Sequence, residues 1–197
     1  DVIIPTKTPN LYIAPSNIDL AGEEYRLIDK LGREDFLNSG IHRAKPQYDY
    51  ILVDCPPSLG ILTINSLKAC QEVIVTIQPH YFALRGIQEF VETVDIMRES
   101  LKHNPEVYVL ITIADIRTNL YREVMNEIEE YFGDRTFQTI IHKNITIAEA
   151  SSHGVPVIEY EPESSGAQDY LSLAKEVIEL EKEKPEKGLF RKNRLQT

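Results

Sequence analysis

Short apolar runs alternate along the chain with longer segments in which apolar residues recur at helical spacing. Leu11 to Ala14 is an apolar run closed by Pro15, with Ser16 or Asn17 available as a cap, and it predicts a short strand. Ile18 to Asn38 reads mostly as helix, broken near Gly32. Tyr48 to Asp54 has an apolar centre suited to a strand buried on both faces, and it stops at Pro56-Pro57. Thr63 to Cys70 predicts a helix, and Glu72 to Gln78 a second buried strand ended by Pro79. In the long helix that follows, Ile87, Phe90, Val91, Val94, Met97 and Leu101 form one stripe before Asn104-Pro105. Val107 to Ala114 predicts a third buried strand, Leu120 to Phe132 an amphipathic helix ended by Gly133, and Phe137 to Ile141 a fourth strand. Ile145 to Ser152 reads as a helical turn and Gly154 to Tyr160 as extended chain. Ser164 to Leu180 is a last helix with Tyr170, Leu173, Ala174, Val177 and Ile178 on one side.

Strands alternating with helices make βαβ units, so the predicted fold is α/β with a mainly parallel, doubly wound sheet. After Leu180 the sequence becomes charged, and the packed domain is expected to cover residues 1–180, with 181–197 a solvated tail. A basic membrane-surface helix would need a fuller apolar face than Leu189, Phe190 and Leu195 supply.

Composition narrows this picture. At 197 residues and 42% hydrophobic, the chain can bury a core without disulfides or metal. Its apolar runs are only a few residues long, against the roughly 20 needed to cross a bilayer. The 21 basic and 31 acidic side chains give a net charge of −10, which argues against coating nucleic acid by bulk charge and leaves room for a local basic patch. Cys55 and Cys70 make no zinc ribbon or CxxC motif, and a reducing, cytoplasmic setting fits them. The five histidines show no HxxxH or HExxH spacing, so a zinc hydrolase has no ligand set. Asp1 runs straight into an apolar stretch with no signal-peptide pattern, and the expectation is a chain that starts within a longer protein.

The stretch that carries chemistry is ILVDCPPSLG, Ile51 to Gly60: an apolar strand ending in aspartate and then a proline pair. In open parallel sheets ligands bind at the carboxyl ends of strands, where a carboxylate can hold a water of a magnesium ion bridging nucleotide phosphates. Taken alone, an aspartate there also serves to cap the following turn. Three further blocks accompany it: APSNIDLAG (Ala14 to Gly22), QPHYFALRGI (Gln78 to Ile87) and NITIAEASSHGVPVIEYEPESSGAQDYLSLAKEV (Asn144 to Val177). In that order, over nearly all of residues 1–182, they resemble the ParA/Soj family of deviant Walker ATPases, which segregate plasmids and chromosomes.

The resemblance implies a P-loop NTPase-like fold with ATP and Mg2+ as cofactors. Asp54 matches the Walker B aspartate that positions magnesium through water. Pro56, Pro57, Ser58 and Gly60 match a loop that responds to the γ-phosphate and contributes to the dimer face. Gln78 to Gly86 matches a second loop near the nucleotide, with His80 and Arg85 where acids are common. Thr112 to Thr118 resembles the loop that begins near the adenine, with Thr112 and Asp115 as nucleotide contacts and Ala114 in place of a tyrosine. Family members form ATP-bound homodimers, bind DNA non-specifically and work with a ParB-like centromere-binding protein in the cytoplasm at the nucleoid. Lys175 matches one DNA-binding position and Lys143 lies beside a second, whose usual arginine is Thr146 here; Ser151 replaces a proline. For either lysine alone, a solvated surface charge is the plain alternative.

The family's glycine-rich loop, with a lysine that holds phosphates, has no counterpart: no Gly-Lys pair occurs in the 197 residues. The expectation is a chain lacking the N-terminal P-loop unit, with neither tight ATP binding nor hydrolysis by these residues alone. A non-catalytic binding or dimerisation module is the alternative of a different class. A MinD-like membrane-positioning ATPase and an amidoligase of related cofactor-biosynthesis families are further alternatives.

Overall fold

The computed structural model describes residues 2–44, 47–56, 58–80, 90–92, 94–96, 98–100 and 102–183. Expected features at Pro57, Tyr81 to Ile87, Met97, Leu101 and residues 184–197 lie outside them. The chain divides into two compact units, Asp1–Val73 with Phe90–Glu106, and Ile74–Glu89 with Val107–Thr197.

The first unit opens with an antiparallel pair, β1 (Ile4–Pro5) and β2 (Tyr12–Ile13), in which Ile4 faces Ile13. Thr6 closes the intervening turn, its hydroxyl donating to the Leu11 carbonyl at 3.0 Å. Helix α1 (Asp19–Leu27) begins where the Asn17 side chain accepts from the Asp19 N–H at 3.0 Å. The predicted break near Gly32 is a run of turns, with Gly32 at φ +67°, before α2 (Phe36–Ala44). Helix α3 (Ile61–Ala69) covers the predicted Thr63–Cys70 segment. Residues 90–92, 94–96 and 98–100 are helical, with Val94 buried and Ile96 exposed.

The predicted strand at Tyr48 to Asp54 does not form. Residues 51–56 are extended chain outside any ladder, and Ile51, Leu52 and Val53 are 38, 90 and 36% exposed. A buried parallel strand needs neighbours for its N–H and C=O groups on both sides. The sheets among the described residues place none beside it. Its apolar residues satisfy the pattern for burial without the partners that would produce it.

The second unit is built on the sheet β3 (Glu72–Ile77), β4 (Glu106–Ala114) and β5 (Thr136–His142), in that order, with β4 and β5 parallel. The α/β fold with a parallel sheet and flanking helices agrees with the pattern. Strand β4 is the core strand, with Val107, Val109, Leu110, Ile111 and Ala114 all buried. β3 is less buried than predicted, since Ile74 is exposed and Ile77 alone is fully enclosed. Helix α4 (Asn119–Phe132) starts at Thr118, whose hydroxyl accepts from the Tyr121 N–H at 3.1 Å, and ends at Gly133 with φ +49°. Helices α5 (Ile145–Ser152), α6 (Val157–Tyr160) and α7 (Ser165–Glu183) complete the unit.

Two expectations need correction here. Gly154 to Tyr160 is not extended: Gly154 turns at φ +65°, and Pro156, acceptable at a helix start, opens α6 and delivers Val157 to a cluster with Ala150 and Ala167. The apolar residues of α7 also divide between two faces. Leu173, Val177 and Leu180 pack on Leu110, Phe137 and Ile141, whereas Tyr170 and Ile178 are exposed.

Candidate functional site

Asp54 and Pro56 lie in the extended segment that leads into α3, and both are exposed. The loop after Asp54 is fixed from α3. Thr63, buried on the first turn, donates its hydroxyl to the Ser58 carbonyl at 2.6 Å. Gly60 caps α3 in an extended conformation, φ −79° and ψ −177°, which any residue can adopt. A Cβ at this position would stand 2.5 Å from Glu24 Oε1, so the end of that side chain would have to swing aside for any larger residue. That carboxylate, on α1, accepts from the Leu62 N–H at 3.5 Å, a long contact at the positive end of α3.

One turn further, Asn65 is 4% exposed and fully engaged. Its amide donates to the Arg33 carbonyl at 2.7 Å and the Ile61 carbonyl at 2.9 Å, and its oxygen accepts from the Leu37 N–H at 3.2 Å. A single side chain therefore ties the α1–α2 turn and the start of α2 to the helix that follows Asp54. An open groove of about 400 Å³, lined by Ile28, Arg33, Ile61, Ile64 and Ile96 among others, lies in the same unit and does not include Asp54.

In the second unit, Thr112 and Asp115 flank the end of β4. Between them Ile113 sits at φ +52°, a conformation rare for a β-branched residue, where the pairing of Ile111 with Ile140 and of Ala114 with His142 shifts register. Asp115 is held by Arg117 through two ion-pair contacts of 2.8 Å and by the Arg117 N–H at 3.2 Å. Those hydrogen bonds, with a smaller contribution from Lys143, draw the Asp115 carboxyl down to about 2. The Thr118 hydroxyl donates to the Asp115 carbonyl at 3.0 Å and so closes the turn before α4.

Lys143 is exposed at the end of β5, and its N–H donates to the Ala114 carbonyl at 3.1 Å, which brings it beside Asp115. Lys175 is exposed on α7. Helix α7 is fastened along β5 by two carboxylates seven residues apart. Asp169 Oδ2 accepts from the His142 backbone N–H at 2.9 Å and lies 3.0 Å from its Nδ1. Glu176 accepts from the N–H groups of Gln138 and Thr139 at 2.6 and 2.9 Å. Beside this seam the N-termini of α5 and α7 meet: Asn144 caps α5 through the Thr146 N–H at 2.7 Å and donates to Ser165 Oγ at 2.8 Å.

The roles of Glu24, Asn65, Asp169 and Glu176 escape sequence reading because each acts on a residue 27 to 38 positions away. Among the described residues, no group of three or more His, Cys, Asp or Glu side chains is placed to hold a metal ion. Magnesium bound through water, one carboxylate and nucleotide phosphates needs no such cage, so the single exposed Asp54 fits that chemistry. No helix among the described residues is long and apolar enough to cross a membrane. Cys55 and Cys70 are free thiols, and burial first of all pushes the Cys70 thiol up to about 11.

The family model described as AAA domain matches residues 1–109. The sporulation initiation inhibitor protein Soj of Bacillus subtilis is 43% identical over 178 residues, 90% of this chain and 70% of that protein. The chromosome-partitioning ATPase Soj of Treponema pallidum is 40% identical with the same coverage of both chains. Among solved structures, the cobyrinic acid a,c-diamide synthase of Mycobacterium smegmatis with bound ATP analog and magnesium superposes with a TM-score of 0.74 at 28% identity, over 92% of this chain and 67% of that one. The cell division ATPase MinD of Pyrococcus furiosus, at 22% identity over 91% of this chain and 70% of that one, shares the fold with a TM-score of 0.67. With both Soj proteins at 40% identity or more across nine-tenths of its length, the chain belongs to the ParA/Soj family of chromosome-partitioning ATPases.

Proposed function

We propose that these residues form the Asp54-bearing part of an ATPase that segregates chromosomal or plasmid DNA. The observation that carries this reading is the 43% identity to Soj across 178 residues. Asp54 would hold magnesium through a water, and the loop from Pro56 to Gly60 would respond to the terminal phosphate of ATP. Thr112 and Asp115 border the nucleotide base, and ATP joins two copies of the protein into a dimer. Lys143 and Lys175 contact DNA phosphates without reading sequence, and a ParB-like protein is the partner. ATP supplies the energy for release from DNA. This chain's own groups orient the ion and hold the loop, while Asp115 is kept charged by Arg117. No Gly-Lys pair occurs in the 197 residues, and ATP hydrolysis by these residues alone is not expected under this reading.

A second reading, an ATP-dependent amidoligase, draws on the likeness to the cobyrinic acid a,c-diamide synthase at 28% identity. The 43% match to Soj outweighs it. The two part in a chimera that carries this chain in place of the matching 178 residues of the Bacillus subtilis Soj. The chimera should bind DNA in the presence of ATP with an affinity that falls steeply with salt. Each of Lys143→Ala and Lys175→Ala should lower the slope of log affinity against log salt by about one. ATP-dependent DNA binding that is absent, or indifferent to both lysines, would contradict the partition reading.

A further inference from the structure

We infer that Glu24 is a positioning residue for the loop that follows Asp54, seated on the N-terminus of α3 above a glycine that leaves it room. The inference rests on the reading of Ser58–Gly60 as the nucleotide-responsive loop.

Three contacts carry it. Glu24 Oε1 accepts from the Leu62 N–H at 3.5 Å, so the carboxylate of α1 meets the positive end of α3 at its second residue. Gly60 has ordinary extended torsions, and the three heavy atoms nearest to an added Cβ all belong to that carboxylate, which would have to swing away from it. On the other side of the loop, Thr63 Oγ1 donates to the Ser58 carbonyl at 2.6 Å. Thr63 thus holds Ser58 to α3, while the Glu24 carboxylate of α1 contacts the first turn of the same helix and lies beside Gly60. Any shift of the loop that carries Gly60 or the first turn of α3 with it must break or drag the Glu24 contact. Helix α1 therefore senses where the loop is, although it lies some 30 residues earlier in the chain. Glu24 touches no reacting atom in this scheme. It ties α1 to the first turn of the helix that the loop enters.

Amide hydrogen exchange on the full 197-residue chain, without nucleotide, tests the inference. Glu24→Ala should speed exchange across Ser58–Leu62 by about tenfold and leave β4 and β5 unchanged. Glu24→Gln, which keeps an acceptor oxygen of the same reach, should restore most of the protection. Gly60→Ala displaces the carboxylate and should reproduce the Glu24→Ala pattern, and the double variant should add nothing further. Unchanged exchange in Glu24→Ala, failure of Glu24→Gln to rescue, or additive effects of the two alanine substitutions would overturn the clamp. If Glu24→Ala unfolds the first unit, the Glu24→Gln and Gly60→Ala variants decide by the same criteria. Because no nucleotide is present, the clamp stands or falls separately from the loop's response to ATP, which is read by adding ATP and magnesium to the Soj chimera.

Discussion

Asn65 shows how much of the site's framework rests on one side chain. It is buried on α3 with both ends of its amide engaged, and its partners sit on three different segments. Asn65→Ala leaves the Leu37 N–H and the Arg33 carbonyl without that partner, and we expect a loss of about 2–3 kcal/mol in denaturant-derived stability. Asp115 makes a different prediction. Its carboxyl is drawn from 3.8 to about 2, chiefly by the Arg117 hydrogen bonds. Any stability it contributes is complete above its unfolded value and disappears only as pH falls through about 2. A carboxyl titration followed by NMR should show Asp115 still ionised at pH 3, and Arg117→Ala should return its midpoint toward 3.8. The cysteines divide by exposure: a thiol reagent at neutral pH should modify the exposed Cys55 well before Cys70, whose thiol is pushed up to about 11.

At the scale of elements, those with their own start and stop signals are legible in the sequence. Helix α4 begins at Thr118 and ends at Gly133, and β4 stands out as an unbroken apolar run. Elements defined by distant partners are not. Ile51 to Val53 has the composition of a buried strand and none of the neighbours, and α6 forms because Val157 finds Ala150 and Ala167. The same limit applies to the candidate site. Asp54, Thr112 and Asp115 are visible in their motifs, but the Glu24 carboxylate over Gly60 and the fastening of α7 to β5 exist only after folding. Gly166 illustrates how tightly α5 and α7 meet. An added Cβ would meet Ile147 Cγ1 at 2.7 Å, so Gly166→Ala should cost about 1–3 kcal/mol despite its favourable helix propensity, as read by thermal or denaturant melting. Strand β4 offers a contrast within three residues. Ile111→Ala should cost about 3–4 kcal/mol because Ile111 is fully buried, whereas Ile113→Gly, which relieves a left-handed β-branched residue, should cost less than about 1 kcal/mol.

The whole chain covers 70% of the length of the two Soj proteins and is 43 and 40% identical to them over nine-tenths of its own length. Under the proposed function its part in catalysis would be the Asp54 carboxylate and the loop that Thr63 holds at Ser58. No Gly-Lys pair of the kind that cradles phosphates occurs in the 197 residues, and under the proposed function these residues alone are expected to give no turnover. Magnesium-dependent phosphate release from ATP, measured on the 197-residue chain and on its Soj chimera, each with and without Asp54→Ala, addresses this most directly. The account predicts no release by the chain, release by the chimera, and its loss in the chimera's Asp54→Ala variant. Hydrolysis by the chain alone, or a chimera that keeps its rate without Asp54, would contradict it.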